Sequence, residues 1–519
     1  MELKYVPTVC PFCGTGCSFS LVVKDGKVVG SAPFHRSPVC DGKTCQKGHY
    51  AYELVNSEAR ITTPMIKKGD ELVEASWDEA LAAVADGLKG VSGADIAVFA
   101  SANATNEDIY ALKKLASDVF KTGNFTSCAA LGIDASAGTI RGIAKADCIV
   151  AVGNIFESHP LIARRIVNAK DKGAKVIAVD SFNSSMAKLA DQFVKAVPGG
   201  EIEAIKEAAA FVEGSAALVL YAVGATKSEA AVAAAAKALA DEKKAAFCAL
   251  PAQANGRGAL DIGVAPFDDV FGKEYKACYV MGEDLGPVEG GFIVVQDSFL
   301  SGTAKSANVV LPAAVYAEVD GTMTNAERRI QLVRKAQEPA EGVKANWQIV
   351  SEVAGKLGGS IAYESAEAIF NEMYGDLSYE ALQKDGFVKE ATAAVVAEGV
   401  APAAVSAGGD YPFALVTGPS IWHGYGAAGT LSENCHSLVK EVPSMFVKIN
   451  PVDAKALDVK KGETVTVSSE KGSIKATVRI SKDLDEGVIF VPTMSMGEEC
   501  ICKIAGGEKA VAAKIEKEA

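Results

Sequence analysis

The sequence predicts a multi-domain α/β chain with a cysteine-rich N-terminal module, parallel-sheet domains and a C-terminal β-barrel. Three observations carry this. Cys10, Cys13, Cys17, Cys40 and Cys45 crowd the start of the chain; apolar runs alternate with helical runs from Trp77 to Met281; and short β runs separated by Gly and charged turns fill the C-terminal region.

Taken in order, Phe19–Val23 followed by Lys24-Asp25-Gly26-Lys27 reads as a hairpin with an Asp-Gly turn. Asp78–Leu88 reads as a helix, Ile96–Ala100 as a strand and Asn106–Phe120 as a second helix. Strands over 147–153 and 174–180 flank a further helix, which is the rhythm of a parallel sheet covered on both faces. Ala217–Ala222 and Ala277–Met281 read as further strands, with a helix after Lys227. Later, Phe446–Asn450, Thr464–Ser468, Ser473–Ile480 and Gly487–Val491 read as barrel strands. The expected organisation is a cluster module over 1–58 and an α/β domain over 59–145. A dinucleotide-binding-like α/β region over 146–390, an Ala/Val/Gly-rich linker over 391–411 and a barrel over 412–519 follow.

The chain has 519 residues, 49% of them hydrophobic, with a formal net charge of −13 and a pI near 5.1. An acidic chain without a basic stripe is a poor partner for nucleic acid or anionic lipid. The N-terminus lacks a basic stretch followed by an apolar run, and no segment approaches the roughly 20 apolar residues of a membrane span. The expectation is a soluble cytoplasmic protein without membrane insertion. Twelve cysteines in that setting point to metal ligation or buried thiols rather than a disulfide framework.

Cys10-Pro-Phe-Cys13-Gly-Thr-Gly-Cys17 sets three thiols on a loop whose glycines permit unusual backbone angles, and Cys45 supplies a fourth. That spacing favours a [4Fe–4S] cluster. Structural zinc is the rival, although zinc modules more often show two separated Cys-x-x-Cys knuckles. Cys40 competes with Cys45 as fourth ligand. Cys128, Cys148, Cys248, Cys278 and Cys435 are scattered among small or apolar residues and read as core thiols. Near the C-terminus, Cys500-Ile-Cys502 is suited to metal, to redox chemistry, or to alternation along a strand.

The block Cys10–Cys17, followed by Lys43-Thr-Cys45-Gln-Lys47-Gly48, Arg60–Met65 and Ala75–Ala80, resembles the opening of the molybdopterin oxidoreductase family, with the α subunit of formate dehydrogenases as the nearest likeness. The resemblance implies that Lys47 lies between the cluster and a pterin of a molybdenum or tungsten cofactor, on the electron path. Further matches run in family order along the chain. They imply that Gly153, Asn154, Ser158, His159, Asp180, Gly282, Glu283, Asp284, Gln296, Asp297, Thr417, His423 and Asn434 lie in loops that hold molybdopterin guanine dinucleotide. Ligands of open parallel sheets do settle at carboxyl ends of strands. Singly, each residue has a plainer role: Asp180 as a cap, Gly153 as a turn, His159 before Pro160 as a helix start.

The pattern breaks at the residues that would meet the metal and the substrate. Where the family carries a metal-binding cysteine or selenocysteine followed by histidine, this chain aligns Gly132 and Ile133, which neither ligate a metal nor shuttle a proton. A substrate-contacting arginine aligns with Pro251, with Arg257 displaced nearby. The expectation is therefore an iron–sulfur electron-transfer subunit of a formate-dehydrogenase-like complex, partnered by a flavin- or iron–sulfur-containing subunit. The alternatives are a molybdenum or tungsten formate dehydrogenase with atypical ligation, and a non-catalytic scaffold.

Overall fold

The computed structural model describes residues 2–127, 138–224, 226–265, 273–286, 288, 290–383, 386–389, 400–424 and 426–518. Gly132 and Ile133, with Cys128, lie outside the described residues, as do residues 391–399 of the expected linker. The chain forms two compact units and passes between them repeatedly. The first comprises Met1–Leu131, Gln253–Glu390 and Gly426–His436, and the second Gly132–Ala252, Ala391–Tyr425 and Ser437–Ala519.

The first unit begins with an antiparallel three-stranded sheet, Leu3–Val9, Ser18–Lys24 and Lys27–Pro33. Asp25 (φ +50°) and Gly26 (φ +77°) make its turn left-handed at both central positions, as a tight hairpin with right-twisted strands requires. A seven-stranded sheet follows in the order Glu71–Glu74, Met65–Lys68, Val309–Pro312, Phe292–Asp297, Ala277–Met281, Ile96–Ala100, Phe125–Thr126. Its strands are parallel except for the hairpin at one edge. Leu81, Val84, Ile109, Leu112, Ile349 and Val353 bury one face of this sheet, while Phe99, Val280, Val295 and Ala304 fill the other. Strands covered on both sides carry no polar alternation, hence the continuous apolar runs of the sequence. The helix expected over 106–120 is α-helical over Asn106–Lys114 and widens to a π-helix over Leu115–Phe120.

The second unit holds a five-stranded all-parallel sheet in the order Gln192–Lys195, Lys175–Asp180, Cys148–Val152, Ala217–Ala222, Ala246–Leu250. It also holds a closed six-stranded barrel: Phe413–Gly418, Val488–Pro492, Phe446–Ile449, Gly472–Ile480, Thr464–Ser469 and Ala510–Lys517. The sequence marks four of these strands. The first and last pair with each other and close the barrel.

Each sheet reverses its strand order once. In the first unit the reversal lies between Ile96–Ala100 and Ala277–Met281, in the second between Cys148–Val152 and Ala217–Ala222. Crevices at such reversals are where open parallel sheets bind ligands. Among the described residues, no helix is long and apolar enough to cross a membrane.

Candidate cluster and cofactor sites

The cysteine loop connects the first two strands. Its ends are tied by the Cys10 amide donating to the Cys17 carbonyl at 2.8 Å and the Gly16 amide to the Cys13 carbonyl at 3.2 Å. Gly16 is required in two ways: its φ is +66°, and a Cβ there would sit 2.5 Å from Asn325 Cβ and 2.6 Å from Gln331 Oε1. Cys45 stands at the N-terminus of the short helix Gln46–Tyr50, where the Lys47 and Gly48 amides favour its thiolate. Gly48 keeps a bare backbone beside Cys10, since a Cβ would stand 3.3 Å from that sulfur.

Burial, then the nearby Cys45 and Cys13, push the Cys10 thiol well up, while Lys47 pulls it down. Burial and Cys13 likewise raise Cys45, again opposed by Lys47. Four thiols that repel one another as anions are stabilised by bound cations, so this donor set fits a metal cluster. Lys47, buried at 6% exposure, is the cation of the protein beside it. Cys40 hydrogen-bonds Cys17 and points its sulfur at the Ser18 carbonyl and the Ser37 hydroxyl, each at 3.3 Å. Among the described residues, no three His, Cys, Asp or Glu side chains form a group suited to one metal ion. A four-iron cube has no such requirement, because each thiolate meets a different iron.

Directly beside this loop, at the strand reversal of the first unit, lies a cavity. Pro11, Asn103, Asp108, Gly282, Asp297 and Tyr316 are among the residues that line it. Asn103 donates its amide to the Pro11 carbonyl, joining cavity wall to cysteine loop. Thr105 and Asp108 cap the following helix reciprocally. Asn103 Oδ1 and Tyr316 OH are buried there without a hydrogen-bond partner. Burial drives the Asp297 carboxyl up to about 7, against the hydrogen bond it accepts from the Ser298 amide.

The other residues implied in this unit serve largely to build the walls. Gln296 accepts from Tyr279 OH and donates to Asn346 Oδ1 at 2.8 Å. Asp284 accepts from the Thr303 amide at 3.1 Å and the Gly286 amide at 3.0 Å. Glu283 is fully buried and accepts from Ser127. Asn434 donates to the Thr430 carbonyl at 2.8 Å. Arg257 is held by Asp261 at 3.0 Å, and Lys389 joins that carboxylate from its other side, so the guanidinium is occupied within the fold.

In the second unit, Gly153 (φ +83°) turns the chain at the reversal, and Asn154 follows with its Oδ1 buried and unpartnered. Asp180 ends its strand; Oδ1 accepts from the Ser181 amide at 2.8 Å while Oδ2 is buried without a partner. Burial raises this carboxyl to about 6. Nearby, Glu201 accepts from the Ser181 hydroxyl at 3.1 Å with one oxygen, and its other oxygen is buried and unpartnered. Burial works to lower the Lys509 ammonium, but Glu229, Glu201 and Asp180 outweigh it and hold the pKa up. Three buried acceptors without donors fit a group rich in N–H and O–H, such as a guanine edge or ribose hydroxyls.

His159 and His423 are anchored to backbone carbonyls, Nε2 to Pro251 O at 2.8 Å and Nε2 to Val442 O at 2.9 Å. Ser158 donates to the Asn154 carbonyl at 3.2 Å, and Thr417 to the Lys509 carbonyl at 3.4 Å. Pro251, which stands where the resemblance puts an arginine, therefore fixes His159. Sequence reasoning did not single out Asn103, Tyr316, Glu201 or Lys509. Glu201 had a signal, following Gly199-Gly200 at a helix start, whereas nothing local marks Lys509.

The implied residues are thus divided between the two units. The chain matches the family models of the molybdopterin oxidoreductase Fe4S4 domain over residues 3–57, molybdopterin oxidoreductase over 60–356 and the molydopterin dinucleotide binding domain over 413–512. It is 34% identical to the F420-dependent formate dehydrogenase subunit alpha of Methanocaldococcus jannaschii, with 95% of each chain covered. It is 32% identical to the F420-dependent formate dehydrogenase 1 subunit alpha of Methanococcus maripaludis, with both chains covered in full. Among solved structures, acetylene hydratase from Pelobacter acetylenicus shares the fold, with TM-score 0.71, 14% identity, 99% of this chain covered and 100% of the other. The Fe4S4 and dinucleotide-binding domains give the chain a [4Fe–4S] cluster and a molybdopterin guanine dinucleotide cofactor.

Proposed function

This chain belongs to the molybdopterin oxidoreductase family, and on that premise we propose that it is the subunit of a formate-dehydrogenase-like complex that moves electrons between its pterin cofactor and a partner subunit carrying flavin or iron–sulfur centres. The observation that carries the reading is the cavity in the first unit. It stands at a strand reversal, is lined by Pro11 of the cysteine loop, and is tied to that loop by Asn103, which donates to the Pro11 carbonyl. A pterin held there would lie against Pro11 of the cysteine loop.

When bound, the metal–pterin group supplies two-electron exchange with a small substrate. The residues of the chain do the rest. Cys10, Cys13, Cys17 and Cys45 hold the cluster, and Lys47 sets a buried positive charge beside it that favours arrival of an electron. Asn103 and Tyr316 present hydrogen-bonding atoms to the cavity, while Gln296 and Asp284 brace its walls. In the second unit Asn154, Asp180 and Glu201 would accept hydrogen bonds from a guanine edge or ribose hydroxyls. A [4Fe–4S] centre passes electrons singly, so a partner that collects or pairs them is required. The relatives' designation as alpha subunits supports such a complex.

A second reading, formate oxidation by this chain itself with an atypical ligand set, is favoured by the identity to F420-dependent formate dehydrogenases along nearly the whole chain. The alignment of Gly132 and Ile133 with the family's metal ligand and histidine weighs against it. One experiment separates the two. Anaerobically purified protein is assayed for molybdenum, tungsten and guanine dinucleotide, then mixed with formate and viologen dye. Stoichiometric metal and pterin without dye reduction supports the electron-transfer reading. Formate-dependent reduction establishes the catalytic one, and absence of metal and pterin overturns both.

A further inference from the structure

The Cys500-Ile-Cys502 segment belongs to neither strand reversal. Its strand ends at Cys500, the return arm of the small hairpin Ser495–Met496 and Glu499–Cys500, and Cys502 opens the short helix Cys502–Ala505. Of the options open in the sequence, alternation along a strand is excluded by that change of element. The two sulfurs are joined as a disulfide, with the Cα atoms 5.2 Å apart. That separation is an ordinary one for a bridge.

Four features suit this pair to reversible chemistry. First, the bridge closes a loop of only three residues, which removes little unfolded-chain entropy, so the bond contributes little as a staple. Second, Ile501 between the cysteines and Ile504 after them are buried in the barrel core at 4% and 0% exposure and anchor this backbone. The two sulfurs therefore stay within reach of each other when the bond is open. Third, the Cys502 amide donates to Cys500 Sγ at 3.2 Å, a contact that favours a thiolate there. Fourth, the pair is asymmetric, with Cys500 buried at 8% exposure and Cys502 partly exposed.

We propose that Cys500 and Cys502 form a thiol–disulfide exchange site whose oxidant is a small solvent-borne disulfide, R–S–S–R. The Cys502 thiolate attacks one sulfur of R–S–S–R; that S–S bond breaks, and the departing R–S⁻ takes up the proton that Cys502 lost. The Cys500 thiolate then attacks the Cys502 sulfur of the mixed disulfide and expels the second R–S⁻, which takes up the Cys500 proton. Two electrons pass from the cysteine pair to the reagent, yielding two R–SH and the intramolecular bridge, and a dithiol runs the sequence in reverse.

The test uses the full holoprotein, equilibrated anaerobically in buffers of reduced and oxidised glutathione, quenched by alkylation and digested with trypsin. The peptide Asp483–Lys503 contains both cysteines and no other. Its oxidised-to-reduced ratio is expected to rise a hundredfold over about 60 mV of poise, the slope of a two-electron couple. Cys500→Ser should trap a glutathione adduct on Cys502, whereas Cys502→Ser should leave the buried Cys500 largely unmodified. A peptide that stays dithiol in the most oxidising buffer, or stays bridged in the most reducing one, overturns the proposal. The wild-type titration stands whether or not either variant folds, and equal adduct levels in both variants would refute the assigned order of attack.

Discussion

The two strand reversals share a topology and differ in how completely their polar groups are satisfied. In the first unit Gln296 is held between Tyr279 and Asn346, Asp284 is bound by two amides, and the cavity retains Asn103 Oδ1 and Tyr316 OH as buried unpartnered atoms on its lining. In the second, Asn154, Asp180 and Glu201 each bury an acceptor with no donor, and two of the three are carboxylates. Each unmet buried acceptor costs about 1–3 kcal/mol, which donors of a ligand recover. One crevice is thus a pre-braced socket beside a cluster, and the other is a donor-seeking acidic site. The same sheet architecture serves both because the chemistry resides in the strand-end loops.

The largest effect that would sharpen this contrast is expected at the cluster. Cys45→Ser should abolish the reduced-cluster paramagnetic signal and lower bound iron, while Cys40→Ser should keep both. The opposite pattern would transfer the ligand role to Cys40. Next in size, Asp180→Ala should lower retained guanine dinucleotide about tenfold or more through loss of a charge-assisted acceptor worth roughly 1.5–3 kcal/mol, with cluster iron unchanged. Equal loss of iron would show that the two sites are not separable in this way.

Lys47→Met should slow reduction of the cluster about tenfold, a barrier change of about 1.4 kcal/mol, while the signal of the chemically reduced cluster keeps its amplitude. Unchanged rates in stopped-flow absorbance would remove Lys47 from the electron path. Gly16→Ala should destabilise the first unit by about 2 kcal/mol, because φ +66° is strained for alanine and its Cβ meets Asn325. Thermal melting followed at cluster absorbance reads that change.

The pH response gives a finer comparison. Asp180 and Asp297 have folded values raised to about 6 and about 7, so the fold holds their protons more tightly than the unfolded chain does. Their contribution to stability is complete below the unfolded value near 4 and is lost as pH rises through 6 to 7, by about 3 kcal/mol for Asp180. Cofactor-free Asp180→Asn protein should lose that part of the slope and unfold later than wild type above pH 6. A melt whose pH slope is unaltered by the substitution would show that Asp180 is not the buried acid responsible.

Much of this molecule was legible locally. The Asp25-Gly26 turn, the Ile96–Ala100, Ala217–Ala222 and Ala277–Met281 strands and four barrel strands follow from turn chemistry and from apolar runs that two-sided burial demands. The spacing of Cys10, Cys13 and Cys17 was likewise readable, because these three share one loop, whereas folding brings Cys45 and Lys47 to them from the helix at Gln46–Tyr50. What the sequence left undecided depends on partners far along the chain. Ala510–Lys517 is rich in Ala, Lys and Glu, which favour helix, yet it is a strand because Phe413–Val416 and Val465–Ser468 offer it a hydrogen-bonding ladder on each side. Lys509 has no local mark of function, and only folding brings it to Asp180, Glu201 and Glu229. Arg257, displaced by its alignment from the arginine position, is engaged by Asp261, which also pairs with Lys389. Local propensity and spacing determined the elements and the cluster loop; long-range pairing, which costs chain entropy that no local pattern records, decided which charges face one another.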